Sequence, residues 1–266
     1  KAHLTALPPD LVNAIRLVLT GALFLPFLRP LPWRRACELA ALGALQFGLM
    51  YALYTRAFQF LKAHEVALAT ITTPLFVVLL QDLLDRRFRL APLGCALLSV
   101  VGTALSLGVG PAHQVGALPG LLLIQASNLC FALGQVGYRR ALARTPDLAD
   151  RHAFAWCALG AAGLAVLAAT PVLVRGMLPS LSGVQVAVLF YLGLVSTGLG
   201  FFLWNRGARL VNTAVLAVMN DLKIPLAVAV SVFAFGERAA ALRLAAGGSL
   251  VALAWALGAR LGAPKP

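Results

Sequence analysis

One segment of this chain is present twice. Residues 43–58 and 193–208 align without a gap: Gly43 with Gly193, Gly48 with Gly198, Leu53 with Leu203, Tyr54 with Trp204, Arg56 with Arg206 and Ala57 with Gly207. Pro74 recurs one residue out of register as Pro225, each in mid-span after a run rich in Ala, Val and Leu. The chain therefore reads as a duplication, and the duplication sits on a strongly apolar background. With 61% hydrophobic residues and a mean hydropathy of +0.88, it carries more apolar surface than a water-soluble domain of its size can hide.

At roughly 20 apolar residues per crossing, nine spans are predicted, at 11–28, 36–60, 63–84, 91–108, 117–140, 152–174, 183–206, 212–235 and 239–259. The long runs interspersed with Gly, Ala and Leu suit helices, not the short alternating strands of a barrel. The expected fold is all-α, a polytopic membrane helix bundle. Five spans lie between the start of the repeated segment and the start of its copy, so the two copies cross the bilayer in opposite directions. Two inverted repeats follow, residues 1–110 and 111–266, and inverted repeats are a transporter architecture. The first repeat lacks a partner for the span at 117–140. Since the chain starts at Lys1 and not at Met, we expect nine helices of a ten-helix parent whose first helix is absent.

The net charge of +13 does not indicate nucleic acid, because the basic residues divide by side. Arg29, Arg34, Arg35, Arg86, Arg87, Arg89, Arg139, Arg140, Arg144, Arg151, Arg206, Arg209, Arg260 and Lys265 fall on one face, and Lys1, Arg56, Lys62, Arg175, Arg238 and Arg243 on the other. Fourteen against six, by the positive-inside bias, makes the first face and the C-terminus cytoplasmic. Cys37, Cys95, Cys130 and Cys157 are dispersed one per span and read as reduced packing residues; His3, His64, His113 and His152 lie at span ends or in loops. No metal or cofactor is expected.

The loops are short, the longest around 109–116 and 141–151, so function must lie within the bundle. A charged side chain at mid-helix costs at least ~2.5 kcal/mol on insertion scales, and each intramembrane polar group calls for a reason. Asn13, Arg16 and Thr20 share one helical face. Arg16 has three readings: snorkelling to the outer interface, a structural or gating clamp on a neighbouring helix or on Asp221, or direct substrate contact. Phe47, Tyr51, Tyr54 and Phe58 form an aromatic stripe, as packing or as a cavity wall, with the amide of Gln46 nearby. Gln125, Asn128, Gln135 and Arg139 form a polar ridge, suited to interhelical hydrogen bonds or to lining a central cavity.

Asn220, Asp221, Lys223 and Pro225 occupy the middle of one span. A proline removes the helical donor of the carbonyl four residues back. Pro225 is thus expected to free the carbonyl of Asp221, and Pro74 that of Thr70, kinking both helices near the midplane, where carriers of this architecture hold their cargo. Asp221 and Lys223 are two positions apart and point about 200° from each other, so each needs a partner elsewhere. Lys223 suits an anionic substrate group and Asp221 a proton. An ion network that only fixes helix packing is the alternative.

Leu7-Pro8-Pro9 before Ala14-Ile15-Arg16, the turns Tyr54-Thr55-Arg56-Ala57 and Trp204-Asn205-Arg206-Gly207, the prolines Pro74 and Pro225, and Phe235-Gly236-Glu237-Arg238 occur in an order and spacing that resembles the EamA-type members of the drug/metabolite transporter superfamily. The resemblance spans the chain and implies ten-helix carriers of two inverted five-helix repeats. Two features depart from it: Leu84-Asp85-Arg86 stands where the family often has a Gly-Glu-Arg turn, and the family's first helix has no counterpart.

The expected function is a transporter of the cytoplasmic (inner) membrane, not an enzyme. It would export a small polar metabolite such as an amino acid by alternating access, with protons as candidate coupling ion, as a monomer or homodimer in the lipid bilayer. Candidate substrate-binding residues are Gln46, Tyr51, Thr70, Gln125, Asn128, Asn220, Asp221 and Lys223; candidate structural or gating residues are Arg16, Pro74, Trp204 and Pro225. A membrane-embedded enzyme is the first rival, but no HExxH, GxSxG or paired intramembrane carboxylates occur in the sequence. A lipid-handling protein is the second.

Overall fold

The computed structural model describes residues 4, 7–107, 118–176, 181–235 and 238–261, and every regular element among them is helical. Nine long helices succeed one another among the described residues: α1 Pro9–Phe27, α2 Trp33–Ala57, α3 Ala63–Asp85, α4 Leu90–Leu107, α5 Leu118–Ala143, α6 Asp150–Val174, α7 Gly183–Leu210, α8 Thr213–Phe235 and α9 Arg238–Leu261. Eight have a stretch long and apolar enough to cross a membrane; α8 has 23 residues whose only formal charges are Asp221 and Lys223. Leu83 (72% exposed), Leu90 (74%) and Leu210 (79%) turn outward, a surface that lipid and not water would cover. The chain is a polytopic membrane helix bundle, as its sequence predicts. Gly236-Glu237, the loop at 109–116, His3, His113, Lys1 and Lys265 lie outside the described residues.

The helices cluster into two compact units. One comprises residues up to Arg56 and Leu133–Gly207, the other Ala57–Ala132 and the residues from Ala208 onward. Each draws on both proposed repeats. The chain leaves the first unit at Arg56 and again at Gly207, in the matching turns of the two copies.

In the first unit α1 packs on α6 and α7, and α2 packs on α6. Its core is aromatic: Phe24 meets Phe154 edge-on at 4.7 Å between ring centroids, and Phe47 stacks on Phe201 at 4.6 Å. The duplicated segments share a local distortion, for the backbone is π-helical over Ala44–Leu49 in α2 and over Tyr191–Leu199 in α7. Such wide turns disturb the regular ladder and are frequent at functional positions. Their leading glycines are points of close approach. A Cβ on Gly43 would fall on the Cys157 backbone of α6, and one on Gly193 would sit 2.7 Å from Leu19 Cβ of α1.

In the second unit α4 runs along α9, and α8 packs on both. Gly102 allows this approach, since a Cβ there would lie 2.7 Å from the Gly247 carbonyl oxygen. Cys95, Ala214, Val218, Val251 and Ala254 form a buried core, with Leu98 and Leu222 against it. The α3–α4 turn is tied by Arg89, whose Nε donates to Asp82 at 2.7 Å and whose guanidinium also reaches Asp85 at 2.8 Å. These bonds hold the Leu84-Asp85-Arg86 departure in shape, with Arg86 ending α3 at a left-handed φ of 51°. Burial opposes the Arg89 charge, but hydrogen bonding and the charges of Asp82 and Asp85 outweigh it and hold the guanidinium above the ordinary arginine value.

The two mid-span prolines act differently. α3 stops at Thr70 and resumes at Thr73, with Pro74 in the first turn of the new segment, where a missing N–H leaves nothing unpaired. Pro225 lies inside an unbroken α8, so of the two prolines expected to kink their helices only Pro74 sits at a break in one. The flanking residues supply the reason. Thr73 donates its hydroxyl back to the carbonyl of Thr70 at 2.7 Å, ending one helix and starting the next. Lys223 and Ile224, before Pro225, have no such hydroxyl. The carbonyl of Thr70, expected to be free, is therefore occupied by Thr73.

Candidate functional site

Each unit has its own intramembrane polar residues. Arg16 organises those of the first. It is the eighth residue of α1, about 10 Å along the helix at 1.5 Å per residue. Its guanidinium donates to the Tyr51 hydroxyl at 2.8 Å and to Thr197 Oγ1 at 2.9 and 3.3 Å, and lies over the Tyr51 ring at 4.5 Å from the centroid. Thr197 belongs to the π-helical segment of α7, and Tyr51 follows that of α2. The two distorted segments thus hold one cation between them. Thr20 joins them, its hydroxyl donating to the Gly193 carbonyl at 2.8 Å, while Asn13 donates to Thr55 at 3.0 Å. Among the described residues no carboxylate pairs with Arg16.

Gln46 and Asn205, both fully buried, exchange hydrogen bonds at 2.8 and 3.1 Å. Gln46 therefore locks α2 to α7. Trp204 is half-buried on α7 beside Asn205 in sequence. The aromatic stripe divides in role: Phe47 is packed in the core, and Tyr51 carries the Arg16 contact.

The second unit holds the other candidates in three places. At the α3 break, Gln125 and Asn128 of α5 both donate to the Ala69 carbonyl, at 3.0 and 2.9 Å, and Thr72 donates to Gln125 at 2.7 Å. The polar ridge at these two positions thus bonds between helices. The Thr70 hydroxyl turns back to Ala67 at 2.8 Å; Pro74 is buried below it. On α8, Asn220 is buried and donates to the Leu216 carbonyl at 2.9 Å, and Pro225 is buried too. Asp221 is 0% exposed and accepts one bond, from Ser99 of α4, at 3.1 Å. Lys223 is exposed on the same helix. Arg16 and Asp221, read from sequence as possible partners, each find hydroxyls within their own unit.

Thr197, Asn205, Ser99 and Thr20 carry these clusters without having been singled out as site residues. A weak signal existed for two of them: Asn205 occupies the repeat position of Thr55, and Thr20 shares the Asn13–Arg16 face. Chemically, the first cluster offers a fixed, forked cation with neutral partners only, and the second a buried carboxyl with one hydrogen bond.

The family model described as EamA-like transporter family matches residues 1–108 and 118–258. A "Probable biotin transporter" of Pseudomonas aeruginosa is 37% identical over 246 residues, covering 89% of this chain and 82% of its own. A "Biotin transporter" of Escherichia coli strain K12 is 38% identical over 220 residues, covering 79% of this chain and 70% of its own. A solved crystal structure, 24% identical, matches with a TM-score of 0.76 over 98% of this chain and 91% of its own, and so shares the fold.

Proposed function

The chain belongs to the EamA-like transporter family and is a multi-pass membrane transporter, and we propose that its substrate is biotin or a closely similar carboxylate. Two relatives named as biotin transporters, at 37% and 38% identity, support biotin over the amino acid suggested by sequence. The observation that carries the chemistry is Arg16, a guanidinium inside the membrane whose hydrogen-bond partners among the described residues are a phenol and a threonine hydroxyl. Biotin has a flexible chain ending in a carboxylate, and a planar guanidinium with neutral partners can receive that group bidentately. Its ring urea offers N–H donors and a carbonyl acceptor, which amide side chains match. In this reading Tyr51 and Thr197 aim Arg16, while Gln46 and Asn205 satisfy one another and hold the scaffold. Lys223 is the second candidate anchor. Transport proceeds by alternating access of two inverted repeats in a bacterial inner membrane.

The test is [³H]biotin counterflow in proteoliposomes, which registers exchange in either direction. Arg16→Gln should weaken biotin binding roughly 10- to 100-fold, the loss expected for a charged hydrogen bond of about 1.5–3 kcal/mol. Biotin methyl ester, without the charge, should compete poorly against the unmodified protein and lose nothing further against the variant. Absence of counterflow in the unmodified protein would reject biotin. Full activity in Arg16→Gln with a collapse in Lys223→Ala would move the anchor to Lys223.

A further inference from the structure

Asp221 belongs to the second compact unit and has an environment of its own. It is completely buried in α8, next in sequence to Leu222, which packs on the core of Cys95, Val218, Val251 and Ala254. α4 offers it two hydroxyls one turn apart on the same face, Ser99 and Thr103, both fully buried. Ser99 donates to Oδ2 at 3.1 Å. Oδ1 has no partner at hydrogen-bond geometry among the described residues, and neither has the Thr103 hydroxyl, which is nonetheless near enough to interact with the carboxyl. An ionised carboxylate accepts about four bonds, and here it has one. No cation pairs with it among the described residues.

The elements packed on α8 do not supply the missing charge. Among described side chains, the titratable or charged groups of α3 are His64, Glu65, Asp82 and Asp85; α4 has Cys95, and α9 has Arg243 and Arg260. Asp82 and Asp85 are engaged by Arg89, Glu65 accepts from the Lys62 backbone, and Arg243 and Arg260 are exposed. Lys223, two residues along α8 itself, is exposed; its charge acts on Asp221, but the two form no ion pair among the described residues.

We propose that Asp221 is a proton-binding site, loaded on Oδ1 and read out through Ser99 and Thr103, by which transport is coupled to a proton gradient. A proton on Oδ1 removes the buried charge and gives that oxygen a donor to present to the Thr103 hydroxyl, leaving Oδ2 as the carbonyl that accepts from Ser99. Four side-chain oxygens, on three side chains in apolar surroundings, suit a proton better than a sodium ion, which needs more ligands. α8 is also where Pro225 removes one rung of the helical ladder, four residues beyond Asp221. Gain or loss of a charge at Asp221 therefore acts beside the weakest point of the helix.

Two measurements test this. The first, infrared difference spectroscopy of the reconstituted protein across pH, needs no substrate. A protonated-carboxyl C=O band should be present, vanish at high pH, be missing from Asp221→Asn and persist in Asp221→Glu. Ser99→Ala, which keeps the carboxyl, should move the band to higher frequency, because its carbonyl loses a donor. This variant decides the matter even if Asp221→Asn does not fold. A band absent from the unmodified protein, or indifferent to both substitutions, overturns the proposal. The second measurement rests on the biotin reading: [³H]biotin accumulation in proteoliposomes should rise with an imposed pH gradient in the unmodified protein and not in Asp221→Asn. Accumulation that follows sodium, or the pH gradient equally in both proteins, overturns proton coupling at Asp221. If the unmodified protein exchanges no biotin, the substrate reading falls and the infrared band alone decides the proton site.

Discussion

The Gln46–Asn205 pair shows how much one buried amide can depend on another. Each is completely buried, and each donates to the other, so truncating either leaves a polar group in the helix interior with nothing to bond. Asn205→Ala should cost about 1–3 kcal/mol, the range for an orphaned buried partner, and the value should fall toward the lower end because polar groups in an unfolded membrane chain also find partners. Replacing both residues with Leu should recover much of the loss. A double-mutant cycle read by denaturant unfolding in micelles measures the coupling, and additive losses would mean that the two amides act separately. Gly134 tests the same point from the other side. A Cβ there would fall on Gln46 Cβ, so Gly134→Ala should destabilise the unmodified protein and be better tolerated only in a Gln46→Gly background, since alanine at position 46 keeps the clashing atom.

Helix α4 depends on its approach to α9. At Gly102 an added methyl would lie 2.7 Å from the Gly247 carbonyl and 2.8 Å from Leu250 Cβ, both closer than van der Waals contact allows. Gly102→Ala should therefore cost about 1–3 kcal/mol, the usual penalty of overpacking, and a thermal unfolding midpoint unchanged from the unmodified protein would show that the crossing has slack. Elements of this kind were legible in the sequence to different degrees. The span predicted at 63–84 is the helix Ala63–Asp85, because a run of apolar residues of bilayer length leaves the chain no other way to satisfy its backbone. The break at Pro74 was legible too. Its absence at Pro225 was not, because what a proline does depends on whether a neighbouring hydroxyl can end the helix, as that of Thr73 does. The π-helical turns gave no periodic signal, and only the repetition of the segment marked them. Thr197 was hidden for a similar reason: it lies 181 residues from Arg16 in the chain, and one threonine in an apolar span resembles any other. Arg16 was visible as a charge out of place, but its partners were not.

At the scale of the whole molecule, a duplicated segment must be reconciled with a charge distribution that is not duplicated. Arg56 and Arg206 are repeat-mates in the same motif, both exposed at the ends of their helices, and the charge asymmetry of the loops predicts that they face opposite sides of the membrane. They are the sharpest probe of inversion because sequence context is matched and only orientation differs. Arg56 is 3.8 Å from Asp10 and half exposed, so replacing it should cost little, as exposed ion pairs contribute about 0–1 kcal/mol. With Cys37, Cys95, Cys130 and Cys157 first replaced by Ala, Arg56→Cys should react with a membrane-impermeant maleimide added outside intact cells, and Arg206→Cys should react only in inverted vesicles. Lys62→Cys should follow Arg56→Cys, and Arg87→Cys should follow Arg206→Cys. Labelling of both repeat-mates from one side would rule out antiparallel repeats, and with them alternating access by exchange of two equivalent halves. Opposite labelling with the sides reversed would preserve the inversion and overturn the orientation drawn from the arginines, placing the Arg16 end of α1 toward the cytoplasm and reversing the direction from which the guanidinium meets its substrate.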